Sequence, residues 1–215
     1  MKNIKKGSKI SNFVNLYFIA SVLIAALCFS SCASVQRVSA DQQKDLSGRW
    51  SANDVREIAK TLIGDCLDSP AVSRLVREWK NNHGGQNPSC IVGDFRNSSS
   101  EHIDTGILSR ALQTAIMNSG DLDFVADKTL RAGLREERQD QQTNASETTA
   151  LALGKETAAA FMLSGEIKSM LDQAGNKAYR NYFVDAQLTN IETNRIVWQG
   201  QAEVTKEIVR AQSRL

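Results

Sequence analysis

Three long stretches near the C-terminus, residues 160–171, 178–190 and 195–208, alternate apolar and polar side chains with a period of two. Successive side chains of a strand point to opposite faces, so this pattern commits each stretch to a half-buried strand. Tyr182, Val184, Ala186 and Leu188 share one face of the second stretch, and Ile196, Trp198, Ala202 and Val204 one face of the third. The links at 172–177 and 192–194 carry Gly, Asn, Asp and Thr and look like hairpin turns. An antiparallel meander is the expected result.

Ahead of the meander the period changes to that of helices. Over residues 53–67, Val55, Ile58, Ala59, Leu62, Ile63 and Cys66 form one apolar stripe. Ser69 before Pro70 reads as an N-cap with proline at N1, opening a second helix to about Asn81 that buries Val72, Leu75, Val76 and Trp79 and ends at His83-Gly84-Gly85. Residues 88–95 form a short apolar run suited to an inner strand. Asp104 caps a third helix through Asn118, with Ile107, Leu108, Ala111, Leu112, Ala115 and Ile116 toward the sheet, and Gly120 closes it. Residues 123–126 read as a second short strand, 128–140 as a charged helix with Leu130 and Leu134 inward, 139–146 as a loop and 147–155 as a further helix. The fold class expected is α+β, a single domain with helices packed on a mixed, mostly antiparallel sheet that ends in a three-strand meander.

The N-terminus reads as an export signal. Lys2, Lys5, Lys6 and Lys9 precede a largely apolar run from Phe13 to Phe29, and no acid occurs before Asp41. The run stops at Phe29-Ser30-Ser31-Cys32, which resembles a bacterial lipobox in which Cys32 is acylated and exposed by cleavage. Cys28 fits less well, because Leu27 would stand where a small residue is needed. An uncut membrane span is the alternative, and 17 residues is the lower limit of the roughly 17–25 a span requires. The expected division is a signal peptide over 1–31, a lipidated N-terminus and polar, Gln-rich tether over 32–46, and a globular domain over 47–215. Ser34, where a retention signal would place Asp, favours the outer membrane, with the domain facing the periplasm.

Export resets the composition. Removing residues 1–31 from a chain of 215 leaves 184, enough for one domain plus a tether, and the loss of four lysines takes the formal charge from +2 to −2. A mature chain of that charge gives no reason to expect nucleic acid as a partner. Of the four cysteines, Cys66 and Cys90 remain available for a disulfide in an oxidising compartment; two buried free thiols are the other reading.

No catalytic constellation stands out, and neither a metal nor a cofactor is expected. His83 and His102 are the two histidines, so a three-histidine metal site cannot be assembled in one chain. His83, beside two glycines, reads as a helix-end residue. Gly154-Lys155-Glu156-Thr157 lacks the spacing of a phosphate-binding loop, and Glu136-Glu137 point apart on a helix. Arg131, Arg135 and Arg138 fall at i, i+4 and i+7 and so share a helical face; this is a candidate partner contact, although Glu136, Glu137 and Asp140 nearby also suit an ordinary mixed-charge helix.

With the anchor and the domain in place, several stretches resemble the LpoB family of penicillin-binding protein activators. They are Leu46-Ser47-Gly48-Arg49-Trp50 with Asn53-Asp54, Val92-Gly93-Asp94-Phe95-Arg96-Asn97 with Glu101-His102-Ile103-Asp104-Thr105, and Arg131 with Leu134-Arg135-Glu136-Glu137-Arg138. Leu153-Gly154-Lys155-Glu156, Phe161 to Ile167 and the hairpin Leu188 to Trp198 complete the set, in order over residues 46–208. The resemblance implies an outer-membrane lipoprotein without enzymatic activity that raises the glycosyltransferase and transpeptidase rates of a class A penicillin-binding protein. The long proline-rich tether of the best-known members is absent here. A curli-secretion-like (CsgG-like) lipoprotein or another envelope-assembly adaptor is the alternative, although no segment is left for membrane-crossing hairpins.

Overall fold

The computed structural model describes residues 36–40, 42–144 and 156–210. The chain divides into one unit ending at Gln42 and a second beginning at Gln43, and the fold below is that of the second. Cys32 and the helix expected over 147–155 lie outside the described residues.

Helix α1, Ala52–Asp68, starts with a capping box: the Ser51 N–H donates to Asp54 Oδ2 at 2.7 Å while the Asp54 N–H donates to Ser51 Oγ at 3.4 Å. The expected stripe is the buried face of this helix. Ser69 is extended, as a residue before proline must be, and Pro70 opens α2, Pro70–Asn82. The Ser69 side chain makes no capping bond; Val72 and Val76 are buried, with Leu75 and Trp79 packed partly against the core. Strand β1, Ser89–Asn97, leads to α3, Thr105–Ser119, which Asp104 caps through the Gly106 N–H at 2.9 Å and left-handed Gly120 closes. Strand β2, Asp123–Phe124, is shorter than expected, and α4, Lys128–Asn144, follows it.

The meander consists of β3, Phe161–Ala174, β4, Lys177–Asn190, and β5, Ile196–Val209. The sheet order is β2-β1-β3-β4-β5, with β1 parallel to both neighbours and the last three strands antiparallel. This is the α+β class read from the sequence. Ala174 pairs with Lys177, so the first hairpin turns on Gly175 and Asn176. Helices α1 and α2 pack against β5, α1 also against α3, and α3 against β1. The core they enclose takes Phe161, Leu163 and Ile167 from β3 and Tyr182, Val184, Ala186 and Leu188 from β4. Gly165 sits in that inner row because a Cβ there would fall 2.1 Å from the Asp185 carbonyl oxygen and 2.5 Å from Phe95 Cε1.

Four expectations need correction. Ile196 does not join the inner row: the register between β4 and β5 shifts beside Leu188, leaving Val197 as the extra residue of a bulge, and Ile196 lies opposite Thr189 at 53% exposure. Ile107 is exposed, because the rib that α3 buries is Leu108, Leu112 and Ile116. Leu130 and Leu134 are exposed as well, since no residue of α4 is buried. Residues 139–144, expected as loop, continue α4, where Gln141 bonds Glu137 at 2.9 Å and Asn144 bonds Asp140 at 2.8 Å, side-chain pairs at i, i+4 that support a polar helix.

Candidate interaction surface

Two polar clusters hold the domain's N-terminal segment onto the sheet. Lys206 follows Trp198, Gly200, Ala202 and Val204 in the inward row of β5 and is buried, its ammonium 2.7 Å from Asp54 Oδ2, 3.0 Å from Asp45 Oδ2 and 2.8 Å from the Arg49 carbonyl oxygen. Burial alone would raise the Asp45 carboxyl; hydrogen bonds from Ser51 and Lys206 outweigh it and hold this group below the ordinary range. One row away, Glu101 pairs with Arg180 and accepts from the Tyr182 hydroxyl at 2.8 Å and the Trp50 N–H at 3.3 Å, while Trp50 meets the Tyr182 ring edge-on at 5.3 Å. Desolvation, then the bond to Glu101, pushes the Tyr182 hydroxyl pKa well up. These clusters use the Leu46–Trp50 and Glu101 stretches to build structure. The sequence reading missed Lys206, although its place in the period-two row was the available signal.

The sheet face opposite the core carries a second network. Arg96 reaches Glu166 at 3.0 Å, Lys168 reaches Asp185 at 3.0 Å and Glu166 at 3.5 Å, and Gln201 donates to Asp185 at 2.6 Å. Arg96, Glu166, Lys168 and Asp185 border a depression of about 510 Å³. The Ser98 hydroxyl, then Arg96, holds Glu166 down to about 2, so it is ionised at neutral pH. Asp185 is lowered despite its burial by Lys168 and Gln201. Neither carboxylate carries a proton to donate near pH 7, and the cluster therefore presents fixed charges rather than an acid–base pair.

The arginines singled out from the sequence separate into two roles. Arg135 grips Glu156 in a fork, Nε at 2.7 Å and a terminal nitrogen at 2.8 Å, and Arg138 joins the same carboxylate at 3.3 Å. Those hydrogen bonds, with the ion-pair attraction, raise the Arg135 pKa and lower that of Glu156. Arg131 instead lines a cleft of about 490 Å³ between β1, α3 and the start of α4, together with Asp94, Arg110, Gln113, Lys128 and Met162. Its buried Nε has no hydrogen-bond partner among the described residues. A buried guanidinium nitrogen left unpaired costs free energy that an incoming acceptor would recover.

Cys66 on α1 and Cys90 on β1 are buried free thiols in this structure. Desolvation pushes both up to about 12. His83 ends α2, its Nδ1 2.9 Å from the Trp79 carbonyl oxygen and its ring stacked on Trp79, which is a structural placement. Among the described residues, no helix is long and apolar enough to cross a membrane.

A family model described as peptidoglycan-synthase activator LpoB matches residues 54–204. Among solved structures, the chain is similar to the LpoB C-terminal domain of Escherichia coli at 16% identity, covering 71% of this chain and 99% of that one, with a TM-score of 0.43. The corresponding domain from Salmonella enterica has 15% identity, 70% and 98% coverage and a TM-score of 0.40. Lipoprotein GNA1162 of Neisseria meningitidis has 15% identity, 59% and 88% coverage and a TM-score of 0.37. No curated protein matches the sequence.

Proposed function

The chain belongs to the LpoB family of peptidoglycan-synthase activators, and from that premise we propose that it is a lipid-anchored envelope protein that binds a class A penicillin-binding protein and raises its activity without catalysis of its own. The observation that carries the proposal is the family match over residues 54–204, which takes in α1, the cleft and most of the meander. An activator of this kind works by binding the active form of the synthase more tightly than the resting form, and the shift it produces is limited by that difference in affinity. Such a role requires a shaped, charged surface and no nucleophile. The curli-secretion-like alternative is not favoured by a match to an activator family.

Acylation at Cys32 would place the domain on the periplasmic side of the outer membrane. The Arg131 cleft is the docking element we propose within the Arg131, Arg135 and Arg138 face, because Arg135 and Arg138 already share Glu156 whereas Arg131 Nε has an unfilled bond to offer an acidic or carbonyl group. The test is a peptidoglycan-synthesis assay with the synthase of the same organism, alone and with this protein. A rise in rate is expected with the native chain, and Arg131→Ala should weaken binding on the order of thirtyfold, about 2 kcal/mol, where an arginine hot spot begins. No binding and no rate change with the native protein would sink the activator reading; full affinity of Arg131→Ala would remove the cleft from it.

A further inference from the structure

We propose that the Arg131 cleft receives its partner by strand addition: a short, extended, acidic segment of the synthase pairs with the free edge of β1 and sets a carboxylate on Arg131. This mode of docking rests on the activator function proposed above. Strand β2 pairs with β1 only at Ser89 and Cys90, whereas β1 runs on to Asn97 and pairs with β3 along its other side. Among the described residues, no strand therefore covers that edge from Ile91 onward. The Ser89 carbonyl accepts from the Ala160 N–H on the β3 side at 2.9 Å, and the Cys90 carbonyl from the Val125 N–H on the β2 side at 2.9 Å. Backbone groups of a strand alternate in this way, so Val92 is the first residue to turn its N–H and carbonyl to the open side.

The cleft wraps this edge. Its lining takes Ser109, Arg110 and Gln113 from α3, which packs on the core side of β1. It also takes Met162, which lies between Phe161 and Leu163 of the inner row of β3 and so points to the opposite face. Unpaired backbone at a sheet edge is a template for another strand. The register with β3 shifts between Val92 and Phe95, so β1 bulges at Gly93 and Asp94. The bulge bends the edge and holds an added strand to a few residues, in keeping with a cleft of about 490 Å³.

Charge selects the occupant. Arg110, Lys128 and Arg131 line the cleft against two carboxylates, Asp94 and Asp127, and Asp127 is committed to the Leu130 N–H at 2.9 Å as the cap of α4. The buried Arg131 Nε has no acceptor among the described residues. Paired backbone gives a guest strand affinity, and its alternate side chains give it specificity. An aspartate or glutamate on the added strand supplies the acceptor that Arg131 lacks, in a charge-assisted bond. A neutral strand would fill the edge and leave that nitrogen unpaired.

The experiment uses the full lipidated chain in detergent with the intact synthase of the same organism, carrying p-benzoylphenylalanine in place of Thr129, an exposed residue of the cleft wall. Irradiation followed by mass spectrometry identifies the synthase segment that enters. That segment is then made as a peptide with each backbone nitrogen methylated in turn, and its affinity is read by competition with the synthase. A cross-link to one acidic stretch is expected, with losses on the order of tenfold at alternate positions only, because a strand offers every second N–H to one neighbour. Arg131→Ala and the amide form of the peptide's acid should each weaken binding, and together no more than either alone. Equal losses at every position, or at none, overturn strand addition. A labelled chain that binds and stimulates the synthase without cross-linking overturns the inference and leaves the activator reading intact. A synthase that neither binds nor responds to the native chain removes both. A cross-link to a second copy of this chain in the absence of synthase assigns the edge to self-association and overturns the partner assignment.

Discussion

Lys206 shows how much one side chain decides in this fold. It is 8% exposed, its ammonium closes on the carboxylates of Asp54 and Asp45, and it joins β5 to the segment that precedes α1. Removing one member of a buried pair leaves the other charge desolvated and uncompensated, at a cost of roughly 3–5 kcal/mol. Lys206→Ala should therefore lower stability by about 3 kcal/mol, read as a lower urea midpoint with an unchanged slope. Combining Lys206→Met with Asp54→Asn removes the deeply buried pair and should recover part of that loss, because the remaining carboxylate, Asp45, is about a third exposed and keeps its hydration. An alanine variant within about 0.5 kcal/mol of the native chain, the range of an ordinary surface substitution, would show that the cluster is hydrated in solution.

At the scale of elements, what the sequence made legible was whatever depends on a local period. The stripe of α1, the proline boundary before α2, the Asp104 cap, the Gly120 stop and the inner row of β4 follow from residues within a turn or a pleat of one another. Features set by distant partners were not legible. The bulge that turns Ile196 outward depends on how β5 registers with β4, and exposure of Leu130 and Leu134 depends on where α4 lies against the sheet. The candidate site divides the same way: helical spacing placed Arg131, Arg135 and Arg138 on one face, but only the fold supplies Glu156, which occupies two of them. Cys66 and Cys90 give this scale its own prediction, since one lies on α1 and the other on β1 in the same core. Both thiols are raised from the ordinary 9.0 to about 12. A raised thiol contributes stability that is intact below about pH 9 and is lost as pH climbs from there toward 12, because the unfolded chain ionises first. Stability should fall across that window, and alkylation of the folded protein at pH 8 should run about a thousandfold slower than that of the denatured chain on thiolate fraction alone. Rapid labelling of native protein would refute the buried placement; a denatured, unreduced chain that takes up no label at either position would show that the two have paired.

Across the whole molecule, burial is distributed unevenly, and this sets an order of opening. Strand β4 is flanked on both sides by long antiparallel partners and supplies four inner residues to the core, whereas α4 buries none of its own and is held by the Asp127 cap and the Glu156 fork. Local opening free energy follows such buried contacts, so amides of α4 should exchange with deuterium first and those of β4 last, approaching the global unfolding rate. The helix expected to exchange first borders the Arg131 cleft, facing α3 across it. A partner that fills the cleft must order α4, and ordering appears as slowed exchange where the free protein was fast. Hydrogen exchange of this chain with and without its synthase should therefore show added protection concentrated over residues 128–144 and the facing part of α3, with little change over 191–195. Protection confined to the face bearing Arg96, Glu166 and Lys168 would move the docking site to the charged side of the sheet, and the exchange pattern of the free protein would still report the hierarchy built into the fold.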